Sequence, residues 1–271
     1  GLVYLSTFSY LENRERPAVI REPMLDTFFS DILLPHEVAH QWWGNLVTAS
    51  DYRSEWLMEA VANYASLQLL EKKRGHGALT QVMEYYAGEL SALDPQGKPV
   101  ESNGSLDLGY RLRDSANPDS WRVITYDKGS WILHLLHNRM GEQAFAAMLR
   151  KLLQEYSSKP LSNEDFRQTA MAFMPAGAQD RSLELFFDTW IYSTGIPTLR
   201  LAKPKKGTRE WTLTQTGVES DFTVDVPIRI TTPGKPAITQ WVRTSSDGAT
   251  FETPSSTSTA ELPEHGEFLY R

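Results

Sequence analysis

At 271 residues the chain is long enough for a substantial core and more than one domain. Its 41% hydrophobic and 23% charged residues are those of an ordinary globular protein, and a net charge of −7 with no lysine-arginine stripe argues against nucleic acid as a partner. There is no cysteine, so disulfides play no part, and no apolar run reaches the length of a membrane span.

Along the chain, Leu2 to Phe8 alternates enough to predict a strand, and a polar loop comes after it. Ser30-Asp31 is placed to cap a helix. Pro35 belongs in its first turn, because deeper inside it would remove a backbone hydrogen bond, so the helix should start close before His36. Residues 36 to 40 then read His-Glu-Val-Ala-His. Positions i and i+4 share a helix face, so His36 and His40 can aim at one ion while Glu37, on the flank, reaches a water beside it. Such a string also arises by chance, but the residues after it strengthen the signal. Gly44-Asn45 is a helix stop, and Ser54 is placed to cap a second helix through Glu59 to Lys72-Lys73-Arg74, ending at Gly75. Packed antiparallel, that helix returns Glu59 to the level of the histidines. It then completes three ligands for one zinc ion, with a fourth position open to water.

Further helices are expected over Ala78 to Leu93, Ser120 to Met140, Glu142 to Tyr156, Ser162 to Met174 and Ser182 to Thr194. Ser162-Asn163-Glu164-Asp165 approximates a capping box, and Gly141 punctuates a helix end. Asp94 to Asp119, with three prolines and three glycines, reads as a long loop. Trp42, Trp43, Tyr85, Tyr86, Trp121 and Trp131 are expected in the core. His134 and His137 stand three apart on a helix but have no third ligand at suitable spacing, so packing is the preferred reading. After Pro197 short alternating segments appear at Trp211 to Gln215, Phe222 to Thr232, Ala237 to Arg243 and Thr250 to Thr253. Pro233-Gly234-Lys235-Pro236 and Asp247-Gly248 look like hairpin turns, and Ser255 to Thr259 like a polar loop. The expected fold is mainly α over residues 1–197, with a residual N-terminal strand, followed by a small β-sandwich over 198–271.

The run His36 to Asn45 (His-Glu-Val-Ala-His-Gln-Trp-Trp-Gly-Asn), followed by Trp56-Leu57-Met58-Glu59-Ala60, resembles the gluzincin metallopeptidases of the aminopeptidase N type. Ile124 to Gly129 resembles that family's tyrosine-bearing segment, and Trp190 with Gly195-Ile196-Pro197 the end of its catalytic domain. Met58 and Ala60 stand where the family usually has Asn and Gly. The resemblance implies a thermolysin-like helical catalytic domain and zinc-dependent hydrolysis of peptide bonds, with removal of N-terminal residues from peptides. In it His36, His40 and Glu59 hold the zinc and Glu37 is the general base. Tyr126 stabilises the oxyanion, and Leu2 to Phe8 is the edge strand walling the cleft. Asn63, one helical turn beyond Glu59, is a candidate to orient a ligand histidine. The loop Asp94 to Asp119 is expected to border the cleft. The family's amine-binding GxMEN motif would lie just before Gly1, with an N-terminal domain before that. Endopeptidase or other hydrolase activity therefore stays open, as does a zinc-binding module that turns over little as an isolated chain.

Overall fold

The structure is a computed structural model that describes residues 2–113, 117–204 and 208–271. The most enclosed helix marks its centre. Helix α3 (Trp56–Arg74) is apolar on almost every side, and burial from Trp56 to Leu70 on several faces shows that it is enclosed rather than laid on a surface. Around it pack α2 (Leu33–Ala39), α4 (His76–Ser91) and α6 (Gly129–Met140), while α7 (Glu142–Tyr156) and α8 (Asn163–Phe173) form an outer pair. Gly75 and Gly141, at φ +88° and +81°, end α3 and α6 where the sequence placed their stops. The capping box at Ser162 forms, with Asp165 as its third-position partner.

Several expected boundaries move. The helix carrying the histidines begins at Pro23 rather than near His36. Helix α1 (Pro23–Thr27) runs through a π-helical turn, Phe28–Ile32, into α2. Proline opens it at the position where its missing N–H costs nothing. The wide turn frees a carbonyl from the regular ladder, so Pro35 is tolerated inside the helix. Ser30 and Asp31 therefore cap nothing: Asp31 pairs with Arg74 at 2.5 Å, tying the π turn to the far end of α3.

Ser54 is not a side-chain cap either. It is buried, its hydroxyl donates to Asp51 and accepts the Asn163 N–H at 3.1 Å, and the Asn163 side chain in turn receives the Trp56 indole N–H at 2.9 Å. The start of α3 is thus anchored to the start of α8, more than a hundred residues away.

The N-terminal strand does not form. Residues 2–22 contain 3₁₀ turns at Thr7–Tyr10, Asn13–Glu15 and Ala18–Ile20, and Leu2 and Tyr4 are exposed. A strand needs a ladder partner, and no described strand pairs with this segment. Buried Arg16 holds it instead, donating to the Phe8 carbonyl, Asp26 and Ser30.

Two short strands, β1 (Val47–Ala49) and β2 (Lys159–Leu161), pair in parallel within the helical part, and from Thr198 the chain is β. Strands β3 (Thr198–Ala202), β4 (Glu210–Thr216) and β7 (Ala249–Glu252) make one antiparallel sheet. A second has β6 (Ile238–Thr244), β5 (Val224–Thr231) and β8 (Thr259–Glu261) in that order. Their inward residues, including Trp211, Leu213, Val226, Ile228 and Phe251, share one core. The turn at Gly234 joins β5 to β6 as a hairpin. Asp247-Gly248 does not make one, because β7 pairs with β4 and the turn is a corner between sheets. Near the change from helix to strand, α9 (Glu184–Trp190) is shorter than expected. Trp190 contacts Phe222 and Phe268, and Thr189 donates to the Thr223 carbonyl at 2.7 Å. Among the described residues no helix is long and apolar enough to cross a membrane.

Candidate metal centre

His36 and His40 come from the end of α2 and Glu59 from the first turn of α3, and the packing of these two helices makes them converge. His36 Nε2 and His40 Nε2 are 3.0 Å apart, and Glu59 Oε2 lies 3.5 Å from the first and 3.2 Å from the second. Four-coordinate zinc with bonds of about 2.0–2.1 Å separates its ligand atoms by roughly 3.3 Å. The three donor atoms therefore stand where the corners of that tetrahedron would fall, and two imidazoles with a carboxylate suit zinc chemically. Among the described residues this is the grouping of histidine and acidic side chains that could hold a metal ion.

The surroundings tune these groups. His40 Nδ1 is 2.8 Å from the Trp43 carbonyl oxygen, which can only accept, so Nδ1 carries the proton and Nε2 presents its lone pair. That carbonyl is brought round by Gly44 at φ +108°, where a Cβ would lie 3.3 Å from the same imidazole nitrogen. His36 Nδ1 is buried without a hydrogen-bond partner. Burial opposes ionisation of Glu59, but His36, His40 and Tyr126 prevail and hold its carboxyl well below the usual carboxylate range. The same carboxylate raises His40 against the effect of burial.

Tyr126 sits in a second π-helical turn, Val123–Lys128, between α5 (Ser120–Arg122) and α6. Its ring is 5.7 Å from that of His36 and meets Trp121 edge-on at 5.6 Å. Burial and the nearby Glu59 charge push its phenol well above the ordinary range, so the hydroxyl stays a donor. Glu37, half-buried, shares with His36 and Tyr126 the wall of a cavity of about 510 Å³. Met24, Phe28 and Leu33 make one apolar side of it, with Asn63 and buried Asp127 among its polar lining.

Two expectations are corrected. Asn63 does not orient a histidine, because its amide donates to Tyr86 at 3.0 Å and Ser130 at 2.9 Å, and the backbone of Trp43 serves His40 instead. Of the aromatics expected in the core, Trp43, Tyr86 and Trp131 are there, Tyr86 also bordering the cavity. Trp42 is exposed, whereas Tyr85, also exposed, and half-buried Trp121 line the cavity. Adjacent helix positions lie about 100° apart, and on α4 Tyr86 turns into the core while Tyr85 is left exposed at the cavity rim. The loop after Asp94 reaches this wall through Tyr110, which stacks on Trp121 at 5.1 Å. His134 and His137 both face the Tyr64 hydroxyl, at 3.0 and 2.9 Å, as packing residues rather than a second metal pair.

The profile of the peptidase family M1 domain matches residues 30–190. Leucine aminopeptidase 2 of Emericella nidulans is 29% identical over 167 residues, which is 61% of this chain and 27% of the relative. Aminopeptidase N of Lactococcus lactis subsp. lactis is 28% identical over 172 residues, 62% of this chain and 19% of the relative. The chain thus spans about a quarter of the length of such curated relatives. A substrate-bound M1 zinc metallopeptidase from Deinococcus radiodurans aligns in structure over 60% of this chain and 33% of its own, at 25% identity and a TM-score of 0.44.

Proposed function

Because this chain belongs to peptidase family M1, we propose that it is a zinc metallopeptidase that hydrolyses peptide bonds and removes N-terminal residues from peptides. His36, His40 and Glu59 hold the metal, Glu37 is the general base and Tyr126 the oxyanion donor. The observation that carries this reading is the convergence of three donor atoms within 3.0–3.5 Å, beside a cavity walled by both Glu37 and Tyr126. The aminopeptidase names of the relatives support the choice of the N-terminal residue. Zinc in this site supplies Lewis acidity and a water of lowered pKa.

The remaining chemistry belongs to the chain. Glu37 takes the proton of the attacking water and later delivers it to the leaving nitrogen, a role its carboxylate can fill from the cavity wall without being a ligand. The Tyr126 hydroxyl donates to the oxygen on which charge develops. Its raised pKa keeps that proton in place throughout the neutral range. The apolar wall of Met24, Phe28 and Leu33 excludes water from one side and receives a substrate side chain.

Glu37→Gln tests the assignment. It should retain stoichiometric zinc by metal analysis and lose ~10² to 10⁴ in kcat on a free-amino peptide. Loss of zinc with the activity would make Glu37 a ligand and overturn the proposed roles. Equal cleavage of N-blocked and free peptides by the unaltered chain would remove the aminopeptidase reading while leaving the peptidase one.

A further inference from the structure

We propose that Lys128 is a positioning residue for the Tyr126 phenol, acting through a buried clamp with Glu101 and the backbone of residues 193–195; this rests on the oxyanion role given to Tyr126 above. Of the six residues in the π turn Val123–Lys128, Tyr126 is the one that is not buried. A π turn lacks the regular ladder that orients side chains in an α-helix, so its direction depends on what braces it.

The brace is Lys128, which is 0% exposed. Its ammonium donates to Glu101 Oε1 at 2.7 Å and to the Ser193 carbonyl at 3.0 Å. Glu101, 1% exposed, uses both oxygens to accept the Gly195 N–H, at 2.9 and 2.8 Å. Three segments are drawn together at the foot of the turn: the 3₁₀ turn Val100–Asn103, the π turn, and the chain leaving α9. A buried ion pair adds little net stability over apolar residues of the same volume, and its best-attested use is to specify a register.

On the other flank stands Gly129. A Cβ there would come within 2.7 Å of the Ala60 Cβ, so the start of α6 is pressed against α3 beside Glu59. Held from behind by Lys128 and set against α3 by Gly129, the turn has one orientation in which to present Tyr126 to His36 and Glu59. A displacement of order 1 Å at a reacting group can cost ~10² in rate, which is the scale on which such a clamp acts.

Lys128→Met alone would strand a buried carboxylate, so the test uses the pair Lys128→Met/Glu101→Leu, which removes the clamp without leaving a charge. With Tyr126 present, the pair should lower kcat on a free-amino tripeptide by ~10- to 100-fold. It should also weaken a phosphinic dipeptide analogue of the tetrahedral intermediate, while KM, zinc content and melting temperature stay near those of the unaltered chain. In a Tyr126→Phe background the same pair should cost less than about 3-fold, because the group it positions is gone. The neutral pair Lys128→Gln/Glu101→Gln, which can still hydrogen-bond across the same gap without a buried charge, should restore most of kcat and analogue affinity. An equal loss in both backgrounds would show that the clamp acts elsewhere, and an undiminished kcat in the pair variant would likewise end the proposal. If Tyr126→Phe alone leaves kcat intact, the oxyanion reading falls and the clamp has nothing to position.

Discussion

Replacing His134 with glutamine should flatten the acid sensitivity of the fold. This imidazole is buried between α3 and α6, against the Tyr64 hydroxyl at 3.0 Å, Asn138 at 3.2 Å and the Trp131 ring. Burial first, then the neighbouring His137, depresses its pKa to about 4. In the unfolded chain it titrates near 6.5. Between those values the unfolded state binds a proton that the folded state refuses, so the stability present above pH 6.5 is lost as pH falls toward 4. The full loss is roughly 3 kcal/mol, of which about 2 kcal/mol appears between pH 7 and pH 5. Urea unfolding of both proteins at pH 7, 6 and 5, with metal removed by chelator, measures it. Every other ionisable group is common to both proteins and cancels. His134→Gln should lose about 2 kcal/mol less than the unaltered chain over that range, whatever its stability at pH 7. Parallel pH slopes in the two proteins would refute the reasoning.

Gly44→Ala forces a side chain onto φ +108° and against His40 Nδ1. It should cost about 1–2 kcal/mol in denaturant titration. Because the Trp43 carbonyl would be displaced, zinc affinity in chelator competition should fall by about 10-fold or more, and unchanged affinity would show that this carbonyl does not orient the imidazole. The cavity wall of Met24, Phe28 and Leu33 predicts that kcat/KM for peptides with phenylalanine or leucine beside the scissile bond exceeds that for glycine by about 10- to 100-fold, the yield of burying one large side chain. Leu33→Trp, which narrows the cavity, should compress that ratio. A ratio near one in the unaltered chain would mean that the substrate side chain goes elsewhere.

The parts of the site that were legible in the sequence depend on short separations. His36, Glu37 and His40 take their relation from the pitch of one helix, and any helix would have placed them so. Gly75, Gly141 and the Ser162 capping box end or begin helices through bonds spanning a few residues, which local reading captures. The polar networks were different. Ser54 looked like a cap because serine caps helices, yet it spends its hydroxyl on Asp51 and Asn163. Asn63 was one turn from Glu59 and chemically suited to a histidine, yet α4 and α6 offered Tyr86 and Ser130 first.

By itself, then, the sequence determined which groups are present: two imidazoles, two carboxylates and a phenol, with most of the helices that carry them. Tertiary structure alone decided how these were aimed. The π turn under Tyr126, the Trp43 carbonyl behind His40 and the Lys128–Glu101 pair at the foot of the turn depend on contacts that spacing along one element does not encode. So does the exposed N-terminal segment, whose alternation was that of a strand but which had no described neighbour to complete a ladder. The physical reason is common to all of them. A residue type limits which hydrogen bonds a side chain can make, but its partner is whichever group packing leaves within 3 Å, and that is a property of the whole chain.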